Sequence, residues 1–244
     1  MAYTGGACPC SLIASSLYDG IAFFSTGLGD EYSHDGQIGF LPVGFDKAFF
    51  ENQLNADTSR LFGKDAAHLA PDRENMILLA NPVLPHSEGE IVLESADPMT
   101  PPSIHMNYFG DPYDLKVMVA VMRKALAIAE SWPGPRKPVL QVPPDLARKH
   151  GYKPGEPLSD ALLENMALHF CTTVYHLTCT CRIGDVVDPR LKVLGVENLR
   201  VADASIMPEI VSGNTNAASI MIGEKAAEMI ARDHGVRLKQ FVGA

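Results

Sequence analysis

The sequence predicts an α+β protein, because short apolar runs bounded by glycine and proline share the 244-residue chain with three segments of helical periodicity. At roughly 100 to 200 residues per domain, this length allows one large domain or two smaller ones with a substantial buried core. The residues are 46% hydrophobic and 20% charged, which is typical of a globular protein and not of a disordered chain.

The strand signals lie in the N-terminal part of the chain. Residues 37–45 and 75–85 are short, partly β-branched runs between Gly and Pro, which predicts strands. Residues 89–98 alternate more clearly before a proline, and residues 17–26 are a weaker candidate for a strand or a short helix. The polar segment 46–74 is expected to be a long loop with a helical turn.

The segment after Asp111 has helical spacing, with Pro112 at its start and Pro133 as its limit. Its predicted apolar face consists of Leu115, Met118, Val119, Met122, Leu126 and Ile128. A second helix is predicted to follow the N-cap Ser159 and to run to Phe170.

The rest of the chain contains a proline-rich connector and a strand–turn–helix pattern. Seven prolines in residues 133–157 predict an extended segment without regular structure. Residues 198–208 then predict a strand, and the last helix is expected to begin near residues 214–216 and to end at the capping Gly235.

Charge and hydropathy exclude two classes of partner. The net charge of −9 opposes binding to a polyanion, and no cluster of Lys and Arg offsets it, so no nucleic acid is expected. No apolar run reaches the roughly 18 to 20 residues needed to span a bilayer, and the N-terminus lacks the layout of a signal peptide. We therefore expect a cytoplasmic protein, for which five cysteines are consistent with reduced thiols.

Residues 174–184, VYHLTCTCRIG, raise the question of metal binding, redox chemistry or proton transfer. Cys179 and Cys181 with one histidine do not supply the four ligands of a structural zinc site, so no metal site is expected. A disulfide between cysteines one residue apart is strained, and the same objection applies to Cys8 and Cys10.

Three further features have both a structural and a functional interpretation. His176 follows a helix and is either a packed side chain or a general base on a loop. The polar residues 214–216 either cap the last helix or present donors to an anion or an electron-rich ring. Asp203 either caps a turn or binds a ligand hydroxyl.

Three segments, in the same order, resemble the C-terminal half of the glucose–methanol–choline (GMC) flavoprotein oxidoreductases. They are residues 89–118, 175–184 and 186–230, within a looser similarity that extends from about residue 37 to about residue 234. The resemblance implies an FAD-dependent oxidase or dehydrogenase that acts on a small-molecule alcohol.

The resemblance also implies a catalytic pair. His176 matches the family histidine that faces the flavin, and Asn214 matches the second member of the pair. His176 is then the base that accepts the hydroxyl proton while a hydride passes to flavin N5, and Asn214 holds the developing alkoxide. The dipole of the following helix stabilises the reduced flavin. The residues expected to bind the cofactor are Asp203, Ala204, Thr215, Asn216 and Tyr175.

For the fold, the resemblance implies a mostly antiparallel substrate-binding sheet in residues 1–170, which include the Pro-rich loop 133–157. Residues 171–244 are expected to supply the flavin-facing catalytic residues. They are also expected to add C-terminal strands and a helix to a Rossmann-like FAD-binding lobe.

The sequence departs from the family in two respects. The usual pattern YHPxGTCRMG has a proline where Leu177 stands and a glycine where Cys179 stands, and Ala218 replaces a proline near the start of the last helix. Family members also begin with a strand, a G-x-G-x-x-G turn and a helix, and this chain has no such fingerprint.

We therefore expect a second polypeptide to supply the dinucleotide-binding lobe, which makes the protein part of a hetero-oligomeric split enzyme. Two alternatives stay open. The chain is a truncated fragment of a longer enzyme, or it is a non-catalytic binding or scaffold module of the same family.

Overall fold

The computed structural model describes residues 20–30, 33–41, 47, 51, 58–59, 77–132 and 142–237. The predictions for Cys8, Cys10, residues 133–141 and most of the loop at 46–74 lie outside these residues. The chain divides into a first unit of residues 1–87 and 109–172 and a second unit of residues 88–108 and 173–244. The predicted boundary after residue 170 lies close to the last junction, but residues 88–108 belong with the C-terminal segment.

The first unit contains a three-stranded antiparallel sheet in the order β1-β2-β3. The strands are β1, Gly20–Phe24, β2, Gly36–Leu41, and β3, Ile77–Pro82, which confirms the strands predicted in these regions. Asp35 is buried immediately before β2 and accepts hydrogen bonds from Thr26 N at 2.7 Å and Thr26 Oγ1 at 2.5 Å. A buried carboxylate is stabilised by such donors, so this contact fixes the β1–β2 connection.

Helix α1, Pro112–Glu130, packs on this sheet and begins as predicted. Asp111 caps it by accepting from Tyr113 N at 2.8 Å, and Pro112 occupies a position whose missing N–H costs no helical hydrogen bond. The predicted apolar face was only partly right, because the helix is buried on two sides. The most buried apolar residues are Val117, Val119, Val121, Ala125 and Ala129.

Asp114 in the first turn of α1 is almost fully buried, with 2% of its surface exposed. Its two carboxylate oxygens accept from the backbone N–H groups of His86 and Ser87 at 2.7 and 2.9 Å. Ser87 Oγ accepts in turn from Asp111 N at 2.9 Å. The chain after β3 is therefore fastened to the start of α1 by hydrogen bonds that satisfy a buried charge.

The first unit also contains two shorter helices: α2, Pro144–His150, and α3, Asp160–Phe170. The N-cap of α3 is Ser159, as predicted, and its side chain accepts from Leu162 N at 3.2 Å. The expectation of no regular structure throughout residues 133–157 was wrong for α2. Pro143 and Pro144 fall at the N-cap and first position of that helix, where proline is tolerated.

The second unit begins with an antiparallel pair of strands, β4, Glu90–Val92, and β5, Ser103–His105. The strand predicted at residues 89–98 is confirmed over β4. A Cβ atom on Gly89 would lie 2.2 Å from the backbone oxygen of His105, so only glycine permits this close approach of the two chains.

The strand predicted over residues 198–208 was wrong. In the described part of the C-terminal segment, β pairing outside named strands is limited to isolated bridges, such as the antiparallel bridge between Lys192 and Arg200. Asp203 then caps a short 3₁₀ turn, Ala204–Ile206, whose carbonyls accept from a loop and not from a neighbouring strand. The expected contribution of C-terminal strands to a Rossmann-like lobe is therefore absent from the described residues.

Helix α4, Asn216–Asp233, confirms the predicted last helix, and Gly235 follows it with a φ of 65°. Two of its buried side chains, Ile222 and Ala226, belong to a core cluster with the 3₁₀ turn and the preceding loop. The cluster contains Val187, Leu191, Ile206, Met207, Ile222 and Ala226. Among the described residues, no helix has the length and apolar character required to cross a membrane.

Asp233, at the end of α4, bonds to the side chains of Arg190 and Arg200, and Lys192 lies 3.9 Å away. Desolvation opposes the charged form, but these cations outweigh it and lower the pKa of Asp233 below its ordinary 3.8. A lowered folded-state pKa stabilises the protein above the unfolded value, and this contribution is lost as the pH falls through the folded value.

We therefore expect Asp233→Asn to lower the melting temperature near neutral pH, and the difference from wild type to shrink as the pH falls to about 3. Thermal unfolding monitored by circular dichroism across this range measures the effect. Glu224→Gln, which removes a carboxylate from the exposed side of the same helix, is the control. Equal pH dependence in the two variants would contradict the role given to Asp233.

Cys179 adopts a left-handed backbone conformation with a φ of 74°, at the position where the family pattern has glycine. A side chain costs roughly 1 to 2 kcal/mol in this conformation, whereas glycine adopts it freely. Cys179 also packs at the edge of the core cluster, so its replacement removes some apolar contact.

We expect Cys179→Gly to be more stable than Cys179→Ala by about 1 kcal/mol, because both lose the sulfur and only glycine relieves the strain. Urea unfolding of both variants measures the difference between their free energies of unfolding. Because both variants lack the sulfur, the loss of its packing cancels in this comparison. A Cys179→Ala protein as stable as Cys179→Gly would show that the backbone is not strained there.

Candidate active site around His176

The loop of residues 174–184 is attached along one side to the 3₁₀ turn. Three backbone N–H groups of this loop, on Cys179, Cys181 and Ile183, donate to three successive carbonyls of the turn at 3.4, 2.8 and 3.0 Å. The acceptors are the carbonyl oxygens of residues 204, 205 and 206. The loop is therefore held by the turn that Asp203 begins, and its position follows from the core cluster beneath that turn.

Both ring nitrogens of His176 have a partner at the start of α4. Nε2 lies 2.8 Å from Asn214 Nδ2, and Nδ1 lies 2.9 Å from Thr215 Oγ1. His176 is half-buried, Asn214 is exposed and Thr215 is 7% exposed. The imidazole thus lies within hydrogen-bonding distance of both the exposed Asn214 amide and the buried Thr215 hydroxyl.

These contacts correspond to one protonation pattern of the ring. Asn214 Nδ2 is a donor only, so the Nε2 that faces it carries the lone pair. The proton of the neutral ring then sits on Nδ1 and is donated to Thr215 Oγ1. This pattern follows from the orientation of the Asn214 amide, whose Nδ2 faces the ring. A lone pair on the exposed side of the ring is what a general base requires.

Thr215 occupies the N-cap position of α4, yet its side chain makes no capping hydrogen bond to the helix. Its carbonyl oxygen accepts from Ser219 N at 2.9 Å and from Ser219 Oγ at 2.8 Å, which starts the helix. The positive end of an 18-residue helix therefore lies beside the His176–Asn214 pair, and the N-cap side chain does not cover it.

The other residues predicted to bind the cofactor lie at the 3₁₀ turn, at the start of α4 and next to His176. Asp203 is exposed, and its Oδ1 accepts from Ser205 N at 2.8 Å, so the carboxylate has the capping role. Ala204 is half-buried in the turn, and Asn216 is exposed at the first position of α4. Tyr175 precedes His176, is 79% exposed and has a φ of 63°. Left-handed non-glycine residues are uncommon and concentrate at functional sites.

Sequence reasoning missed two contacts of this region. One is Thr215 with His176, which the residue pattern alone assigned to capping. The other is Arg182, whose guanidinium bonds to Glu88 at 2.5 Å and joins the loop to the segment that precedes β4. The hydrogen bond that Arg182 donates to Glu88 raises the pKa of Arg182. A residue pair separated by 94 positions leaves no local signal that could have revealed it.

The cysteines of the loop are not joined in a disulfide. Cys179 and Cys181 are free thiols, and Cys179 Sγ lies 2.9 Å from Thr178 Oγ1. Burial raises the pKa of the third described thiol, Cys171, which disfavours its thiolate. Within the described ranges, no three His, Cys, Asp or Glu side chains are grouped so that they could hold a metal ion.

The chain is similar in sequence, over part of its length, to longer enzymes. It is 42% identical over 158 residues to an alcohol dehydrogenase [acceptor] of Pseudomonas putida, which covers 62% of this chain and 26% of that protein. It is 36% identical over 176 residues to the mitochondrial choline dehydrogenase of Homo sapiens, which covers 68% and 27% respectively. The chain thus spans about a quarter of the length of these curated relatives.

Solved structures show the same relation. A formate oxidase of Aspergillus oryzae RIB40, from work on FAD modification, superposes with a TM-score of 0.60 at 26% identity. That match covers 84% of this chain and 33% of the other. A pyridoxine 4-oxidase from Mesorbium loti reaches a TM-score of 0.65 over 91% of this chain and 39% of the other, at 20% identity, which shows likeness of fold alone.

The family assignment follows from a match that covers the site. The model of the GMC oxidoreductase family matches residues 85–223, which is more than half of the chain and contains His176, Asn214 and the turn between them. The relatives and the superposed structures agree with this match. The chain is a member of the GMC oxidoreductase family, and the matched region corresponds to the C-terminal part of its enzymes.

Proposed function

We propose that the chain is the catalytic portion of an FAD-dependent oxidoreductase that oxidises a small-molecule alcohol, with His176 as the base and Asn214 as its partner. The observation that carries the proposal is the 2.8 Å contact between His176 Nε2 and the Asn214 amide beside the N-terminus of α4. The alcohol and choline dehydrogenases among the relatives support this reaction class.

The residues present fit a flavin. The N-terminus of α4, not capped by the Thr215 side chain, favours the electron-rich pyrimidine end of the ring through its dipole. Thr215 and Asn216 would bind there, while Asp203 and Ala204 would lie along the ribityl and diphosphate region, and exposed Tyr175 would add an aromatic contact. When bound, FAD supplies the acceptor for the hydride that leaves the alcohol carbon.

The side chains of the pair have distinct tasks. His176 Nε2 accepts the hydroxyl proton of the alcohol, while Nδ1 keeps its own proton and donates a hydrogen bond to Thr215 Oγ1. In the substrate-free chain the Nε2 lone pair is already occupied by Asn214 Nδ2. The substrate hydroxyl therefore displaces that amide, and the released N–H donates to the oxygen on which negative charge develops.

The same proposal includes a partner that carries the dinucleotide-binding lobe on a second polypeptide. Large apolar side chains around the site support it: Leu177 is 62% exposed and Ile220 is 60% exposed. Their neighbours Tyr175 and Met221 are exposed as well. Apolar surface of this kind marks an interaction site in soluble proteins.

The protein purified under native conditions is expected to carry flavin only with the partner. Absorbance in the flavin bands should appear in fractions that contain a second chain with a G-x-G-x-x-G sequence, and the isolated chain should be colourless. Mass spectrometry of the coloured fractions identifies that chain. A flavin-free protein in every native fraction would favour the alternative function, a non-catalytic binding or scaffold module.

In the flavin-containing complex, His176→Gln is expected to slow flavin reduction by alcohol about 10²- to 10⁴-fold, the usual contribution of a general base. Stopped-flow absorbance under anaerobic conditions measures this rate. His234→Gln, which alters an exposed histidine at the other end of α4, is the matched control. Wild-type flavin reduction in His176→Gln would rule out the assignment of the base.

A further inference from the structure

The hydroxyl of Thr215 has a position that helix capping does not explain. A threonine at an N-cap normally accepts from an amide of the first turn, which stabilises the helix. Thr215 forgoes this bond, is 7% exposed, and places Oγ1 2.9 Å from His176 Nδ1. The helix therefore gives up a stabilising contact so that the hydroxyl can reach the imidazole.

The consequence concerns the proton of the ring. A neutral imidazole carries one N–H, and the hydrogen bond at one nitrogen decides which nitrogen bears it. With its Nδ2 on Nε2, the Asn214 amide leaves the ring proton on Nδ1, and the Thr215 hydroxyl, which can donate or accept, is placed to accept that proton. Without the hydroxyl, the proton on Nδ1 would lose the acceptor that favours this tautomer. In the other tautomer Nε2 would carry the proton and could not act as a base.

We infer that Thr215 is a positioning residue, whose side chain fixes His176 in the Nδ1–H tautomer and orients its Nε2 lone pair toward the substrate. The side chain thus serves the histidine, and any contact of this residue with a flavin is left to its backbone. The catalytic meaning of the inference rests on the proposed function, whereas the hydrogen bond itself does not.

Thr215→Val tests the inference, because valine matches threonine in shape and lacks only the hydrogen-bonding group. Long-range ¹H–¹⁵N spectra of the purified chain distinguish a protonated ring nitrogen from an unprotonated one. The His176 signals are assigned by their loss in His176→Gln. We expect wild type and Thr215→Ser to show the Nδ1–H form and Thr215→Val to show a mixture of tautomers.

Kinetics of the flavin-containing complex give the second readout. Thr215→Val is expected to lower kcat about 10- to 100-fold, the scale on which a partner that orients a histidine acts, with KM little changed and with recovery in Thr215→Ser. Because Asn214 remains in place, loss of substrate binding is not expected. Thr215→Ala serves as the second variant if valine prevents folding.

The outcomes test the role of Thr215 and the proposed function separately. A Val or Ala variant that keeps the Nδ1–H form, or a Ser variant that loses it, overturns the inference. A tautomer change in Thr215→Val, together with a native protein that never carries flavin, supports the role of the hydroxyl and refutes the proposed function.

Discussion

The arrangement of the site depends on three backbone hydrogen bonds that join the 174–184 loop to the turn at residues 204–206. They pair alternate loop amides, those of Cys179, Cys181 and Ile183, with successive turn carbonyls, so the loop has one register and His176 has one place along it. This 3₁₀ turn packs into the core cluster to which α4 contributes Ile222 and Ala226. The His176 imidazole, the Asn214 amide and the Thr215 hydroxyl are thus brought together by the packing of the loop, the turn and α4.

Much of the fold could be predicted because its signals are local. Asp111 before Pro112, Ser159 and Gly235 mark helix ends through chemistry that acts within one turn, and each of these ends was found. The proline content of residues 133–157 misled, because it does not reveal that Pro143 and Pro144 sit where a helix accepts them. Which side of α1 is buried was also hidden, since that depends on two neighbours distant in sequence.

For the candidate site, the sequence predicted which residues are involved but not all of the contacts between them. His176 and Asn214 were predicted as a catalytic pair through family resemblance; the structure places their side chains 2.8 Å apart, and their roles stay a prediction. Thr215 was predicted as a cofactor contact or a cap, and only the three-dimensional structure shows its hydroxyl at His176 Nδ1. A side-chain contact across 39 residues depends on how a helix end meets a loop, which no local pattern encodes.

Helix α4 connects the two ends of the second unit. Asn214 and Thr215 precede its first residue, and Asp233, bound by two arginines, is its last. At about 1.5 Å per residue, its 18 residues extend about 27 Å. Because the hydrogen bonds along a helix resist stretching, an anchor at one end sets the axial position of the other. Ion pairs at the far end of α4 therefore help to fix the position, along the helix axis, of the end that carries Asn214 and Thr215.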